Sequence, residues 1–214
     1  MLNNANQDEL SPVDGNKQNL RQHFRQARRA LSAQQQILAS QALAKNIADN
    51  NLLKGNKHIA LYLSNDGELS CQALIEFCWT YNLKVYLPVL HPFSKQQLLF
   101  VLYNPDTVLI HNKYGIPEPK LDVTQVIPVS QMDCICLPLV AFDKQGHRLG
   151  MGGGYYDRTL ACLSVDDSRK QLTVGPRLWG LAHDCQQTQL LELEPWDIPM
   201  DKIITPSRVI SILD

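Results

Sequence analysis

Long hydrophobic runs are missing from this chain of 214 residues. No apolar stretch approaches the roughly 20 residues that a membrane-spanning helix needs, so no helical span is expected. Excess charge is missing too: 20 Lys and Arg stand against 21 Asp and Glu, for a net charge of −1. No global field invites nucleic acid or a membrane surface, and any basic site must be local. Metal-ligand spacings are absent. The cysteines (Cys71, Cys78, Cys134, Cys136, Cys162, Cys185) include no Cys-x-x-Cys pair, and the histidines (His23, His58, His91, His111, His147, His183) no His-x-x-x-His. A zinc site is not expected, and the histidines read as structural or surface residues. Residues 1–19 are polar and carry no secretory signal pattern. The thiols are therefore expected to be reduced and mostly buried, in a cytoplasmic protein.

Glycine is scarce and unevenly placed. Eleven occur, and five of them lie between Gly146 and Gly154. Before them residues 135–142 form an apolar run that reads as a buried strand. After them Tyr156, Leu160 and Leu163 recur with helical spacing. The implied order is strand, glycine loop, helix. Glycine lets a backbone approach a ligand closely and take φ > 0, and a following helix presents free N–H groups. That combination suits an anion, most often a phosphate. It is not a P-loop, because no Gly-Lys-Ser/Thr closes it. Nor is it a dinucleotide fingerprint, because Tyr155 stands where the third glycine would. The alternative is a flexible surface loop, but such a loop has no use for Tyr155, Tyr156, Asp157 and Arg158 directly behind it.

At 44% hydrophobic the chain can bury a core, and its length suits one medium α/β domain. Residues 1–16 read as a disordered leader, with a single domain over 17–214. A helix is expected over 17–31. Its positions 17, 21 and 28 fall within a sector of about 40°, beside the stripe of Leu20, Phe24, Ala27 and Leu31. Lys17, Arg21 and Arg28 could therefore reach into a cleft; a solvated basic face is the alternative. Ser32 to Gln35 reads as a capping box for a helix to about residue 50, with Ile37, Ala44, Ile47 and Ala48 inward. Strands are expected over 59–63, 84–88, 98–103, 133–137, 172–174, 178–182, 202–205 and 208–213, and a helix over 70–81. Glu68 lies in the polar turn after the first strand, where open α/β sheets bind ligands; helix capping explains it equally well. Two prolines and a glycine in residues 114–119 argue against regular structure there. Alternating strands and helices imply a three-layer α/β/α domain with a largely parallel sheet.

Phe142-Asp143-x-x-Gly146-x-Arg148-Leu149-Gly150-x-Gly152-x-Gly154-Tyr155-Tyr156-Asp157 resembles the 5-formyltetrahydrofolate cyclo-ligase family. The Lys17-x-x-x-Arg21 pair, Glu68, Tyr114-Gly115-Ile116-Pro117 and the Asp197 to Asp201 step resemble it too, so the likeness covers about residues 17–205. The resemblance implies a fold similar to ribose-phosphate isomerases and CoA transferases. It implies ATP- and Mg²⁺-dependent closure of 5-formyltetrahydrofolate, with or without a polyglutamate tail, to 5,10-methenyltetrahydrofolate. Lys17 and Arg21 would meet the ATP phosphates, and with Tyr155 they are the candidate catalytic residues. Arg148, Leu149, Gly150, Met151, Gly152, Gly153, Gly154, Tyr155 and Tyr156 would form the nucleotide cradle, with residues 151–155 and Arg21 shared with the folate. Leu63, Glu68 and Tyr114 would contact the folate, and Asp157 and Asp197 would hold Mg²⁺. Some members carry a basic residue where this chain has Met151, which implies lower ATP affinity rather than lost activity. Small-molecule substrates, no nucleic acid or membrane partner, and a monomer are expected. Two other readings remain open at this stage. One is a sugar-phosphate isomerase or acyltransferase relative that needs no ATP; the other is a folate or nucleotide binder without turnover.

Overall fold

The second helix starts where its capping chemistry predicts. Ser32 Oγ accepts the Gln35 N–H at 3.3 Å, and the Gln35 side chain accepts the Ser32 N–H at 2.8 Å. The structure, a computed structural model, describes residues 17–163, 165–166, 171–172, 175–192, 194 and 197–212. The expected leader, residues 173–174 of an expected strand, Trp196 and Leu213 lie outside the described residues. The described helices are α1 (Lys17–Arg29), α2 (Ala33–Asp49), α3 (Gln72–Thr80) and α4 (Tyr155–Leu160). None is long and apolar enough to cross a membrane.

The main sheet has eight strands: β1 (His58–Ala60), β2 (Lys84–Leu90), β3 (Leu98–Tyr103), β4 (Val126–Ile127), β5 (Cys134–Pro138), β6 (Arg177–Leu181), β7 (Lys202–Ile204) and β8 (Val209–Ser211). Their order is β8-β7-β6-β5-β1-β2-β3-β4. The block from β7 to β2 is parallel, and antiparallel ladders add β8 on one side and β3 with β4 on the other. The expected largely parallel sheet is present.

Each central strand is covered on both faces, which is why it reads as a continuous apolar run. On one face Leu43 and Ile47 of α2 and Leu74, Ile75 and Cys78 of α3 pack on Ile59, Val85 and Trp179. On the other, Leu160 of α4 joins Leu163 and Met200 over Ile135, Leu178 and Ile203. That second layer is thin, because α4 has only 6 residues. Helix α1 belongs to neither face. Its Phe24 and Leu20 join Val140, Ala141, Leu149 and Leu191 in a separate cluster beyond the carboxyl ends of the strands. Four of the cysteines are buried; Cys162 and Cys185 are exposed.

Several expectations are corrected. The run 135–142 is not one strand: β5 stops at Pro138, and Ala141–Phe142 turns away to pair with Arg148–Leu149. Residues 114–119 are not irregular throughout, since Pro117–Pro119 pairs antiparallel with Leu109–His111. Asn112 N–H donates to Ile116 O and Lys120 N–H to Val108 O, so the ladder bonds fall on even-numbered residues. Pro117 and Pro119 therefore sit where no N–H is needed. The strand expected over 59–63 is regular only over His58–Ala60, with the Leu61 N–H still donating to Tyr86 O at 2.9 Å. Ile37 of α2 is exposed, and Leu43 takes its place in the core.

Candidate active site

The carboxyl ends of β1, β2 and β5 open into a cavity of about 1220 Å³. Single small-ligand pockets typically measure about 300–1,000 Å³, so this one has room for more than one such ligand. Every site residue expected from the sequence lines it. Lys17 and Arg21 enter from α1, Leu63 and Glu68 from the loop after β1, and Tyr114 from the tip of the 109–119 hairpin. Arg148 to Asp157 come from the glycine segment, and Asp197 from the residues before β7.

The glycine segment is held by a buried carboxylate. Asp143 is fully buried in the turn of the 141–149 hairpin. Its Oδ1 accepts the N–H of Gln145 and of His147, and its Oδ2 accepts the Leu191 N–H at 3.0 Å and meets His147 Nδ1 at 2.8 Å. Gly152 follows at φ +92°, and Gly154 caps α4 at φ +63°. A Cβ on Gly154 would lie 2.5 Å from Arg158 Nη1, which donates to Gly153 O. Arg158 thus braces the loop and does not line the cavity. Arg21 Nε donates to Gly150 O at 2.9 Å, and the Arg21 guanidinium lies 3.5 Å from where a Gly152 Cβ would be. A cation therefore stands beside a backbone stripped of side chains, an arrangement suited to a phosphate group. With α4 so short, the cation and the loop carry this suitability more than a helix dipole does.

Oxygen donors flank the same region. Arg148 Nη2 pairs with Asp157 Oδ1, and its Nη1 donates to Ile198 O at 3.0 Å, joining α4 to the 194–198 segment. Asp197 Oδ2 accepts the Glu194 N–H at 2.9 Å, and Glu194 in turn pairs with Lys17 Nζ at 3.0 Å. Among the described residues no group of three or more His, Cys, Asp and Glu forms a ready metal cage. Mg²⁺ does not need one, because it is commonly held by one or two carboxylates completed by waters and substrate phosphates. Asp157 and Asp197, two hard oxygen donors on the cavity wall, fit that pattern.

The cavity lining also carries apolar and acidic groups. Glu68 Oε2 accepts the Asn65 N–H at 3.0 Å, and Oε1 faces Arg28 Nη2 at 3.7 Å. Burial raises the Glu68 carboxyl above its ordinary range; the Asn65 N–H and the Arg28 charge oppose that rise. Glu68 does not cap α3, whose N-cap is Cys71 without a side-chain bond. Tyr114 and Tyr155 meet hydroxyl to hydroxyl at 2.7 Å with rings edge to face, and Lys113 stands over the Tyr114 ring. That hydrogen bond lowers the Tyr114 pKa and raises that of Tyr155.

Arg28 was legible only in part. Its helical angle matches Lys17 and Arg21, but it is fully buried. It donates to Asp66 O at 2.9 Å, Asp66 Oδ2 at 3.0 Å and Leu139 O at 3.1 Å, and its Nη2 lies 4.0 Å from Met151 Sδ. It fastens α1 to the loops after β1 and β5. Asp66 also receives Arg25 and Arg29. Such partners are distant in sequence, and no local spacing announces them.

The family model described as the 5-formyltetrahydrofolate cyclo-ligase family matches residues 13–206. A 5-formyltetrahydrofolate cyclo-ligase of Haemophilus influenzae is 46% identical over 88% of this chain and 96% of its own length. One from Escherichia coli K12 is 46% identical over 87% of this chain and 98% of its own. Among solved structures, a 5,10-methenyltetrahydrofolate synthetase of Aquifex aeolicus aligns with a TM-score of 0.76 at 28% identity, covering 92% of this chain and 93% of that one. One of Mycoplasma pneumoniae aligns at 0.67 and 27% identity, covering 90% and 99%. With nearly its whole length matched by the family model and by close relatives, the chain belongs to the 5-formyltetrahydrofolate cyclo-ligase family of enzymes.

Proposed function

We propose that the chain uses ATP and Mg²⁺ to close 5-formyltetrahydrofolate to 5,10-methenyltetrahydrofolate, releasing ADP and phosphate. The observation that carries this reading is one cavity lined by two chemically different sets of groups. Lys17, Arg21, Arg148 and the 150–154 backbone suit a polyanion, with Asp157 and Asp197 beside them. Leu63, Glu68 and Tyr114 suit a flat, N–H-rich heterocycle.

The chemistry requires both sets. A formyl oxygen on an amide-like nitrogen is a poor leaving group. Its attack on the γ-phosphorus, with ADP departing, turns it into a phosphate ester that leaves readily. The neighbouring N10 amine then adds to the formyl carbon and closes the five-membered ring. Phosphate departs with the C–O bond, and the N10 proton goes to solvent. Phosphoryl transfer asks a protein mainly for positioning and charge. Lys17 and Arg21 would supply cations to the transferring group, and the bare N–H groups of the glycine segment beside Arg21 would supply donors. Asp157 and Asp197 would hold Mg²⁺, which when bound adds further neutralisation of phosphate charge. Tyr155 links the two sets, on the glycine segment and hydrogen-bonded to Tyr114. It is placed to keep the folate against the loop.

The test is product stoichiometry. Purified protein with ATP and Mg²⁺ should release ADP only when 5-formyltetrahydrofolate is present, one ADP for each folate consumed. A binder without turnover would retain both ligands and release no ADP. ADP release that ignores the folate would reject the coupling.

A further inference from the structure

Glu118 is a carboxylate of this cavity that the functional reading leaves unused. It lies between Pro117 and Pro119 in the 109–119 hairpin, only 8% exposed, and lines the cavity. Its Oε2 accepts the Leu90 N–H at 3.2 Å and an Asn112 Nδ2–H at 3.0 Å, which ties the hairpin to the end of β2. Among the described residues nothing donates to Oε1, and no Lys, Arg or His forms an ion pair with the group. The structural bonds use one oxygen only. A glutamine carbonyl could make both of them without burying a charge. Oε1 is not sealed in the protein interior but open to the cavity that Glu118 lines. The remaining oxygen therefore fits a donor brought by a ligand.

We propose that Glu118 is a second substrate-binding carboxylate, taking an N–H of the folate ring, and that it determines specificity for the reduced pterin. The proposal rests on the folate reading above. Glu118 shares its hairpin with Tyr114, and as an anion it would repel a polyanion and attract an N–H donor. A tetrahydropterin offers more N–H groups than one carboxylate accepts. Glu68 can take N3–H and one hydrogen of the 2-amino group. The N8–H side of the ring is left over, and Glu118 Oε1 takes that N–H. An oxidised pterin has no hydrogen on N8, so this contact favours the reduced ring. The flanking prolines hold the carboxylate in place before the ligand arrives.

The experiment measures ligand binding with Glu118→Gln and with a ligand variant. The glutamine carbonyl can still accept from Leu90 and Asn112, while its amide turns a donor toward the ligand. 5-Formyltetrahydrofolate and ATP are titrated separately by calorimetry into the wild type and the variant. Glu118→Gln should weaken folate binding about 10- to 100-fold, the range for losing a hydrogen bond to a charged group, and leave ATP binding within about two-fold. An 8-deaza analogue, with CH₂ in place of N8–H, should bind the wild type about 10-fold more weakly than the parent folate. In Glu118→Gln the parent and the analogue should bind alike, as a coupled pair requires. Unchanged folate binding in the variant would reduce Glu118 to a hairpin brace and overturn the proposal, as would loss of ATP binding in its place. Equal wild-type affinity for parent and analogue would overturn it even if the variant failed to fold. A wild type that binds no folate at all would instead reject the underlying functional reading.

Discussion

At the scale of single residues, Glu68 and Asp157 are two carboxylates of the cavity in different surroundings. Glu68 is mostly buried, its pKa raised by that burial, and among the described residues the cation it pairs with is Arg28 at 3.7 Å. Asp157 is half-buried and paired with Arg148 beside the glycine loop. If Glu68 reads the folate and Asp157 serves Mg²⁺-ATP, conservative amides should separate the two roles. Glu68→Gln should raise the folate KM about 10- to 100-fold and leave the ATP KM nearly unchanged. Asp157→Asn should do the reverse, and extra Mg²⁺ should partly restore it. Initial-rate kinetics with each substrate varied in turn gives both constants. Equal loss of the same substrate in both variants would contradict the division.

His183 is a residue whose protonation bears on the fold and not on the chemistry. It is buried after β6, and among the described residues its Nε2 finds no partner. Burial, with the nearby Arg28 charge adding to it, lowers its pKa from 6.5 to about 4. A histidine depressed in the folded state contributes stability above its unfolded pKa and loses it as pH falls through the folded one. The contribution should fade between pH 6.5 and about pH 4. Glu68 and Asp201, raised by burial, act in the opposite sense: their contribution is present in acid and lost as pH rises through their folded values. Bulk acid unfolding therefore mixes opposing contributions. An NMR titration of the His183 ring isolates one of them. A midpoint near 4 is expected, and one near 6.5 would contradict the burial.

At the scale of elements, the capping box of α2 gives the plainest stability prediction. Ser32→Ala removes the acceptor for the Gln35 N–H and should cost about 1 kcal/mol, read from the urea midpoint at unchanged m-value. A neutral result would mean the α2–α3 packing alone holds that end. The box was legible because Ser32 and Gln35 are three residues apart. The helical angle shared by Lys17 and Arg21 was legible for the same reason, and so was the glycine cluster. The family resemblance then joined these strings into one site. What stayed hidden depends on partners far along the chain. The end of β5 at Pro138 follows from the 141–149 hairpin, whose turn is organised by the buried Asp143. The 109–119 hairpin tolerates two prolines only because its register puts them off the ladder bonds. Arg28 and Glu118 look like surface residues until α1 and that hairpin are folded over the cavity.

At the scale of the whole molecule, the parallel block of the sheet supplies a floor, and elements that belong to neither covering layer supply the walls. Helix α1 crosses the carboxyl ends of the strands and brings the cations. The 109–119 hairpin approaches from the other side and closes on the glycine loop through Tyr114 and Tyr155. The cavity of about 1220 Å³ has the room that the proposed meeting of a phosphoryl donor and a folate requires. The most direct measurement is absorbance in the methenyl-folate band, with purified protein, 5-formyltetrahydrofolate and Mg²⁺, in parallel mixtures with and without ATP. A rise in the mixture containing ATP and none in the other is the predicted result. No rise in either mixture, or the same rise in both, would contradict ATP-driven cyclisation.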